Sequence, residues 1–187
     1  MKNAKHHRRS IRLKNYDYSS AGAYFITICA YNKECLFGNI VDGKMQLNDA
    51  GKIIRTVWDE IPKYYLGIET DTFQIMPNHM HGIIIINEVG AIHELPLQRR
   101  NMILPKIIGR LKMNTAKQIN IIRKTPGSSV WQRNYYEHII RSEESLNRMR
   151  EYIQNNQLKW GLDEYNPDKI RTGGSSTAPT DGGVFYA

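Results

Sequence analysis

Apolar positions along this chain follow two different periods, and the places where the period changes outline its elements. Residues 23–31 (Ala-Tyr-Phe-Ile-Thr-Ile-Cys-Ala-Tyr) are rich in aromatic and β-branched side chains and predict a strand. Leu36 to Val41 and Lys44 to Leu47 flank Asp42-Gly43, a dipeptide suited to the positive φ angles of a tight hairpin turn. Asn48 then has the character of an N-cap, and Ile53, Ile54, Val57, Trp58 and Ile61 recur at helical spacing up to Pro62. Thr70 to Met76 and His79 to Asn87 predict two further strands joined by Pro77-Asn78. Glu88 to Asn101 lacks any period and reads as a loop. Pro105 to Arg123 predicts a basic helix with Ile107, Ile108, Leu111, Ala116 and Ile119 on its apolar side, closed by Pro126-Gly127. Tyr136 to Arg141 fits a fourth core strand. Ser142 caps a last helix that opens on Glu143 and Glu144, where the helix dipole favours negative charge, and buries Leu146, Met149 and Ile153.

With the hairpin set aside, the order is β-α-β-β-α-β plus a terminal helix. This is an α+β, ferredoxin-like arrangement: an antiparallel sheet with helices on one face, an inserted β-hairpin and a C-terminal helix. Such a fold hosts many functions, so function must come from the site. Residues 1–15 form a basic arm, 16–162 the folded domain, and 163–187 a Gly/Ser-rich flexible tail.

Charge adds a partner class. The 187 residues carry 26 Lys and Arg against 18 Asp and Glu, a net charge of +8. That excess is concentrated in two blocks without a single acid, residues 1–14 and 95–136, on an otherwise acidic chain. Such a layout fits a polyanionic partner better than a uniformly solvated surface. Cys29 and Cys35 cannot build a disulfide framework and are not at zinc-knuckle spacing, so they read as packing residues in a reducing compartment. No apolar stretch resembles a signal peptide or reaches the ~18 residues of a membrane span, which predicts a cytoplasmic, nucleoid-associated protein with no membrane partner.

The chemistry begins at His79-Met80-His81. Residues i and i+2 of a strand share a face, so both imidazoles point one way. Two histidines alone are as consistent with a polar sheet face as with a metal site; a cation needs a third ligand. Tyr152 and Asn156 lie one turn apart on the terminal helix and emerge from one face of it. If that face packs toward the histidines, Asn156 completes a three-ligand site and Tyr152 stands beside it, able to attack a phosphodiester. A phenol with a pKa near ~10 is a weak nucleophile at neutral pH and would need that help. Equally, Tyr152 borders the buried stripe and fits the core, in a chain with 11 tyrosines.

Met76-Pro77-Asn78-His79-Met80-His81-Gly82 resembles the His-x-His signature of single-tyrosine HUH transposases, which cut and rejoin single-stranded DNA. Around it, Arg9-Ser10-Ile11-Arg12-Leu13 with Tyr16-Asp17-Tyr18, Gly22-Ala23-Tyr24-Phe25-Ile26-Thr27-Ile28-Cys29, Leu36-Phe37-Gly38, and Trp131-Gln132 through Tyr152-Ile153 follow the order seen in REP-associated tyrosine transposases. The resemblance spans about residues 8–160. It implies that His79, His81 and Asn156 hold Mg²⁺ or Mn²⁺, and that Tyr152 is the nucleophile, joined to the 5′ phosphate of the cut strand while a 3′ hydroxyl is released. It implies hairpin-forming repetitive palindromes as substrate, and a monomer or a homodimer whose tyrosine acts in its own or in its partner's site. Relatives commonly have Asn-Pro where this chain has Asn156-Gln157, which leaves Gln157 as a rival amide and allows a longer helix.

The basic blocks then supply candidate DNA contacts: Arg8, Arg9 and Arg12 in the arm, Lys106, Arg110, Lys112 and Lys117 on the basic helix, and Arg133. Trp131, Tyr135 and Tyr136 are candidates for stacking on bases or for the core. His138 is either a proton shuttle or a structural histidine. Two other readings stay open: a DNA-binding protein that keeps the fold without turnover, and a metallohydrolase in which water attacks and Tyr152 only orients.

Overall fold

In a computed structural model, residues 20–88 and 102–169 are described. Four strands, β1 (Gly22–Cys29), β4 (Ile68–Ile75), β5 (His79–Ile86) and β6 (Tyr136–Ile140), form one sheet in the order β4-β5-β1-β6 with every neighbouring pair antiparallel. This is the split βαβ order of a ferredoxin-like domain, as expected from the succession of periods. β2 (Gly38–Val41) and β3 (Lys44–Leu47) form a separate hairpin, and its turn residues Asp42 and Gly43 take φ values of 49° and 70°.

Local signals end the helices where the side chains require. Asn48 Oδ1 accepts from Gly51 N–H at 3.0 Å to start α1 (Asp49–Asp59). Ser142 Oγ accepts from Ser145 N–H at 3.1 Å to start α4 (Glu143–Asn155). Each satisfies an amide that the helix leaves open, worth about 1 kcal/mol. Pro62 opens a further short helix, α2 (Ile61–Tyr64), because its ring tolerates the first turn. α3 (Ile103–Arg123) ends on Lys124 in the left-handed conformation usually taken by glycine, two residues before Pro126.

The pleat sorts β5 into two sets. Met80, Ile84 and Ile86 join Tyr24, Ile26 and Ile28 of β1 against α1 and α3. His79, His81 and Ile83 lie opposite Cys29, Thr27 and Phe25 on the other face. That second face is covered by α4, whose Leu146, Met149 and Ile153 pack on Phe25, Ile83 and Ile140. The expectation of helices on one face therefore holds for α1 and α3, whereas the terminal helix forms a second layer.

Gly82 faces the α1 layer, and a Cβ there would overlap the indole of Trp58, itself 1% exposed. Gly82→Ala is expected to cost about 1–3 kcal/mol through overpacking, read as a lower urea midpoint at unchanged slope.

A bulge between Thr70 and Phe73 turns Asp71 out of β4 toward α4. Arg150 grips it in two places, Nε to Oδ1 at 3.1 Å and Nη2 to Oδ2 at 2.6 Å, clamping the terminal helix to the sheet edge. The Arg150 hydrogen bond holds the Asp71 carboxyl down at about 2. A depressed carboxyl contributes stability above its unfolded pKa of ~3.9 and loses it as pH falls through the folded value. The stability gap between wild type and Asp71→Asn, about 1 kcal/mol after allowance for solvent around Arg150, is expected to close as unfolding is measured from pH 6 down to pH 2.

Residues 1–19, which include the arm, residues 89–101, where a loop was expected, and the residues after Lys169 lie outside the described residues. Residues 163–169, placed in the tail by composition, belong to the fold: Asp163 is buried and its backbone continues the turn that follows α4.

Candidate functional site

The edge-free middle of the sheet places the two histidines. On β5 they sit at the end nearest the Pro77-Asn78 turn, with Cys29 and Thr27 directly across on β1. Their Nε2 atoms converge to 3.1 Å. Each Nδ1 has its own partner: His79 bonds Asn78 Oδ1 at 2.9 Å and His81 bonds Thr27 Oγ1 at 2.8 Å.

Asn78 determines the tautomer of His79. Its Nδ2 donates to two carbonyls, Lys33 O at 2.9 Å and Tyr165 O at 2.6 Å, so its Oδ1 is left to accept the His79 Nδ1–H. The Nε2 of neutral His79 then carries a lone pair. With Thr27 accepting from His81 Nδ1, the second Nε2 carries one as well, and two lone pairs face one another. Such an arrangement calls for a cation between them; without one, His81 would share its Nε2 proton with His79 and take a hydrogen bond from Thr27. Burial, with the nearby His81 and Lys33, holds His79 well below the ordinary imidazole value. Burial pushes His81 down to about 3. Both rings are thus neutral at physiological pH, the form that binds metal.

α4 delivers the other residues. The Tyr152 ring lies edge-on to His81 at 5.3 Å between centroids and to Phe25 at 6.0 Å, within the same chain. Burial raises its phenol above the ordinary value, with Asp163 and Glu164 adding to the rise and a hydrogen bond to Asn156 opposing it. Asn156 follows one turn later, at the C-cap, 4% exposed. Its amide also bonds Asp163, while its Oδ1 is buried without a hydrogen-bond partner. The rival amide is engaged elsewhere: Gln157 Oε1 accepts from Met45 N–H of the hairpin at 3.0 Å. Instead of lengthening, α4 gives way to a 3₁₀ turn, Gln157–Leu162.

Among the described residues, no three His, Cys, Asp or Glu side chains are placed to hold a metal ion. A cation here needs a donor of another kind, and the orphaned Asn156 Oδ1 is one. Two imidazole nitrogens 3.1 Å apart also match neighbouring positions of an octahedral ion, about 3 Å for ligands at ~2.1 Å. The donor set fits the cation.

Sequence reasoning missed the covering of this pair. Asp163 Oδ2 stands 4.0 Å from His79 Nε2, and its Oδ1 takes the Tyr165 N–H at 2.7 Å. Burial raises the Asp163 carboxyl to about 6. The Tyr165 ring lies 4.8 Å from that of His79, and Trp160 6.1 Å from it. His79 is 0% and His81 2% exposed, so any ligand from solvent reaches them only when this segment shifts. The one sequence signal was Trp160, Asp163 and Tyr165 immediately ahead of the Gly/Ser run.

The candidate DNA contacts separate. Lys106, Arg110 and Lys117 lie on α3, on the far side of the sheet from the histidines. Arg110 there stacks on Tyr64 at 3.8 Å. Lys112 is turned inward: its Nζ donates to the carbonyls of Gln132 at 2.9 Å and Asn134 at 2.8 Å, so its role is to brace the segment before β6. Burial lowers its ammonium to about 8. Arg133 stays exposed in that segment, at the histidine end of the sheet. Trp131 is core, packed on Phe37 at 4.8 Å with its Nε1–H donated to Thr115, which leaves no ring face for a base. Tyr136 and His138 register with Thr27 and Phe25 on the site face, and Glu137 with Ile26 on the opposite one. Both cysteines are free thiols; Cys29 is buried on the site face, and Cys35 is exposed rather than packed. Arg8, Arg9 and Arg12 lie outside the described residues. No described helix is long and apolar enough to cross a membrane.

No family model matches the chain. A protein of Haemophilus influenzae (strain Rd) named only as uncharacterized is 48% identical over 169 residues, covering 85% of this chain and 93% of the relative. A second protein of that organism, provisionally named a REP-associated tyrosine transposase, is 27% identical over 155 residues, covering 81% and 80%. A solved REP-associated tyrosine transposase bound to a REP hairpin shares the fold, with a TM-score of 0.51 at 18% identity over 82% of this chain and 76% of that one.

Proposed function

We propose that the chain is a REP-associated tyrosine transposase, and that it cuts and rejoins single-stranded, hairpin-forming DNA through a covalent bond to Tyr152. A transposase-like role on DNA is the coarser part of that reading, supported by the 27% identical relative and the shared fold; the chemistry is the finer part. The observation that carries it is the packing of α4, which sets the Tyr152 ring 5.3 Å from His81 and the unpartnered Asn156 Oδ1 one turn on.

His79 Nε2, His81 Nε2 and Asn156 Oδ1 would hold Mg²⁺ or Mn²⁺, with imidazole donors suiting Mn²⁺ the better. The bound ion would polarise a non-bridging oxygen of the scissile phosphate. Asn78 holds His79 in the tautomer that ligation requires, and Thr27, which orients His81, would accept its Nδ1–H once the ion is bound. Tyr152 Oη loses its proton and attacks phosphorus; the new O–P bond forms as the bond to the 3′ oxygen breaks, and that oxygen leaves as a 3′ hydroxyl after taking up a proton. Attack by that hydroxyl, or by another, on the phosphotyrosine reverses or transfers the strand. The buried phenol is protonated while the site is covered, so the opening that admits DNA also rehydrates the nucleophile.

The test is incubation with end-labelled single strands that fold into a hairpin, in Mn²⁺ or Mg²⁺, followed by denaturing electrophoresis. A protein–DNA adduct resistant to denaturation is expected. Hairpin binding with neither adduct nor cleavage would favour a protein that only binds DNA.

A further inference from the structure

We propose that Lys33 contacts the substrate, pairing its ammonium with a non-bridging oxygen of the DNA phosphate that enters beside His79; the inference rests on the strand-transfer reading above. Nothing in the sequence pattern marks this residue, which falls outside both basic blocks.

The backbone does mark it. In the turn after β1, Asn32 and Lys33 adopt left-handed conformations in succession, with φ of 53° and 56° and no glycine at either position. Consecutive residues of this kind persist only where surrounding contacts determine them, and they gather at functional sites. Here the contact is Asn78 Nδ2 to Lys33 O at 2.9 Å. Asn78 is 0% exposed and is the same residue that orients the His79 ring through Oδ1. One buried amide thus ties the Lys33 backbone and a proposed metal ligand to a common frame.

The side chain leads in the same direction. Lys33 is exposed, yet its Nζ rests 4.8 Å above the centroid of Tyr165. That ring lies 4.8 Å from the ring of His79. Among the described residues, no carboxylate stands within ion-pair distance of Lys33, so the electron-rich ring face is what its charge now meets. A phosphate approaching His79 must displace the Tyr165 ring. The ammonium then exchanges a π face for an anionic oxygen, a stronger partner. Lys33 forms no covalent bond in the reaction; it neutralises charge on the phosphate while Tyr152 attacks and the 3′ oxygen leaves.

Full-length wild type, Lys33→Gln and Lys33→Arg would be compared on a hairpin-bearing single-stranded oligonucleotide in Mn²⁺. Lys33→Gln is expected to slow single-turnover adduct formation at saturating DNA about 10- to 100-fold. It is also expected to flatten the slope of log affinity against log salt by about 0.7, the loss of one single-strand phosphate contact. Lys33→Arg should restore both, since a cation rather than a particular packing volume is needed. With a neutral methylphosphonate at the scissile position, wild type and Lys33→Gln should bind alike. Unchanged rate and slope in Lys33→Gln would overturn the inference, as would failure of Lys33→Arg to rescue. If wild type forms no adduct, the strand-transfer reading fails by itself, and the salt slope still decides whether Lys33 meets a phosphate.

Discussion

Tyr152→Phe is expected to lose the covalent protein–DNA adduct altogether and to slow strand cleavage by about 10³-fold or more, because the substitution removes the attacking oxygen and little else. The phenylalanine ring would keep its place against Phe25 and His81, 6.0 and 5.3 Å away in the wild type. The polar loss is confined to the bond with Asn156, so the folded protein should survive with stability changed by about 1 kcal/mol. Thermal unfolding and hairpin affinity, measured beside the adduct assay, separate a chemical defect from a folding one. Tyr165 supplies the control, as a second phenol near the histidines whose ring packs on His79. Tyr165→Phe should still form adduct, whereas an adduct that disappeared there and persisted in Tyr152→Phe would move the nucleophile to Tyr165. Cleavage without adduct in Tyr152→Phe would mean that water attacks.

His81→Ala is the second large effect. It removes one of two nitrogens that meet at 3.1 Å and leaves His79 and the Asn156 oxygen short of a ligand set. Calorimetric titration with Mn²⁺ should show affinity lowered by about 100-fold or more, since a lost ligand costs at least as much as the 10–100-fold of a lost supporting hydrogen bond. Adduct formation should fall with it, while hairpin affinity in chelator stays within about threefold, because phosphate contacts elsewhere carry binding. An imidazole this deeply buried also packs, stacking on Phe25 at 5.4 Å, and some stability will be lost. The metal titration remains decisive, because it reads the site without turnover. Mn²⁺ affinity equal to wild type would remove the histidine pair from metal binding.

Several features of the site were legible in the sequence because they are local. The i, i+2 spacing of His79 and His81 in a strand, and the i, i+4 spacing of Tyr152 and Asn156 in a helix, fix which side chains emerge together whatever the fold does next. The caps at Asn48 and Ser142 and the Asp42-Gly43 turn are local as well, each depending on side chains within a few residues of the backbone they serve. The resemblance to a transposase family offered Tyr152 as a candidate nucleophile and His79, His81 and Asn156 as candidate metal ligands, whereas the fold read from the succession of periods is the one found.

Other features depended on partners far along the chain. Lys112 looked like one more cation in an acid-free block, yet carbonyls 20 and 22 residues away turn it inward. Trp131 lay among candidate stacking residues, and it is packed against Phe37, just ahead of β2 and far away in sequence. Gln157 and Asn156 were rival amides until the hairpin, 112 residues earlier, took the first. Asp163 and Tyr165 were read as tail because composition weighs a segment by what it contains and not by what it touches.

Determined by the sequence alone were the succession of strands and helices, their caps and turns, and the pairwise facing of residues within one element, since backbone geometry relates near neighbours directly. Only the tertiary structure decided that α4 crosses to the sheet face opposite α1 and α3, that Tyr152 there meets His81, and that the α3 cations are left on the far side. Which face a helix covers is settled by burial against strands distant in sequence and by the Asp71–Arg150 clamp, and no periodicity within the helix contains that choice.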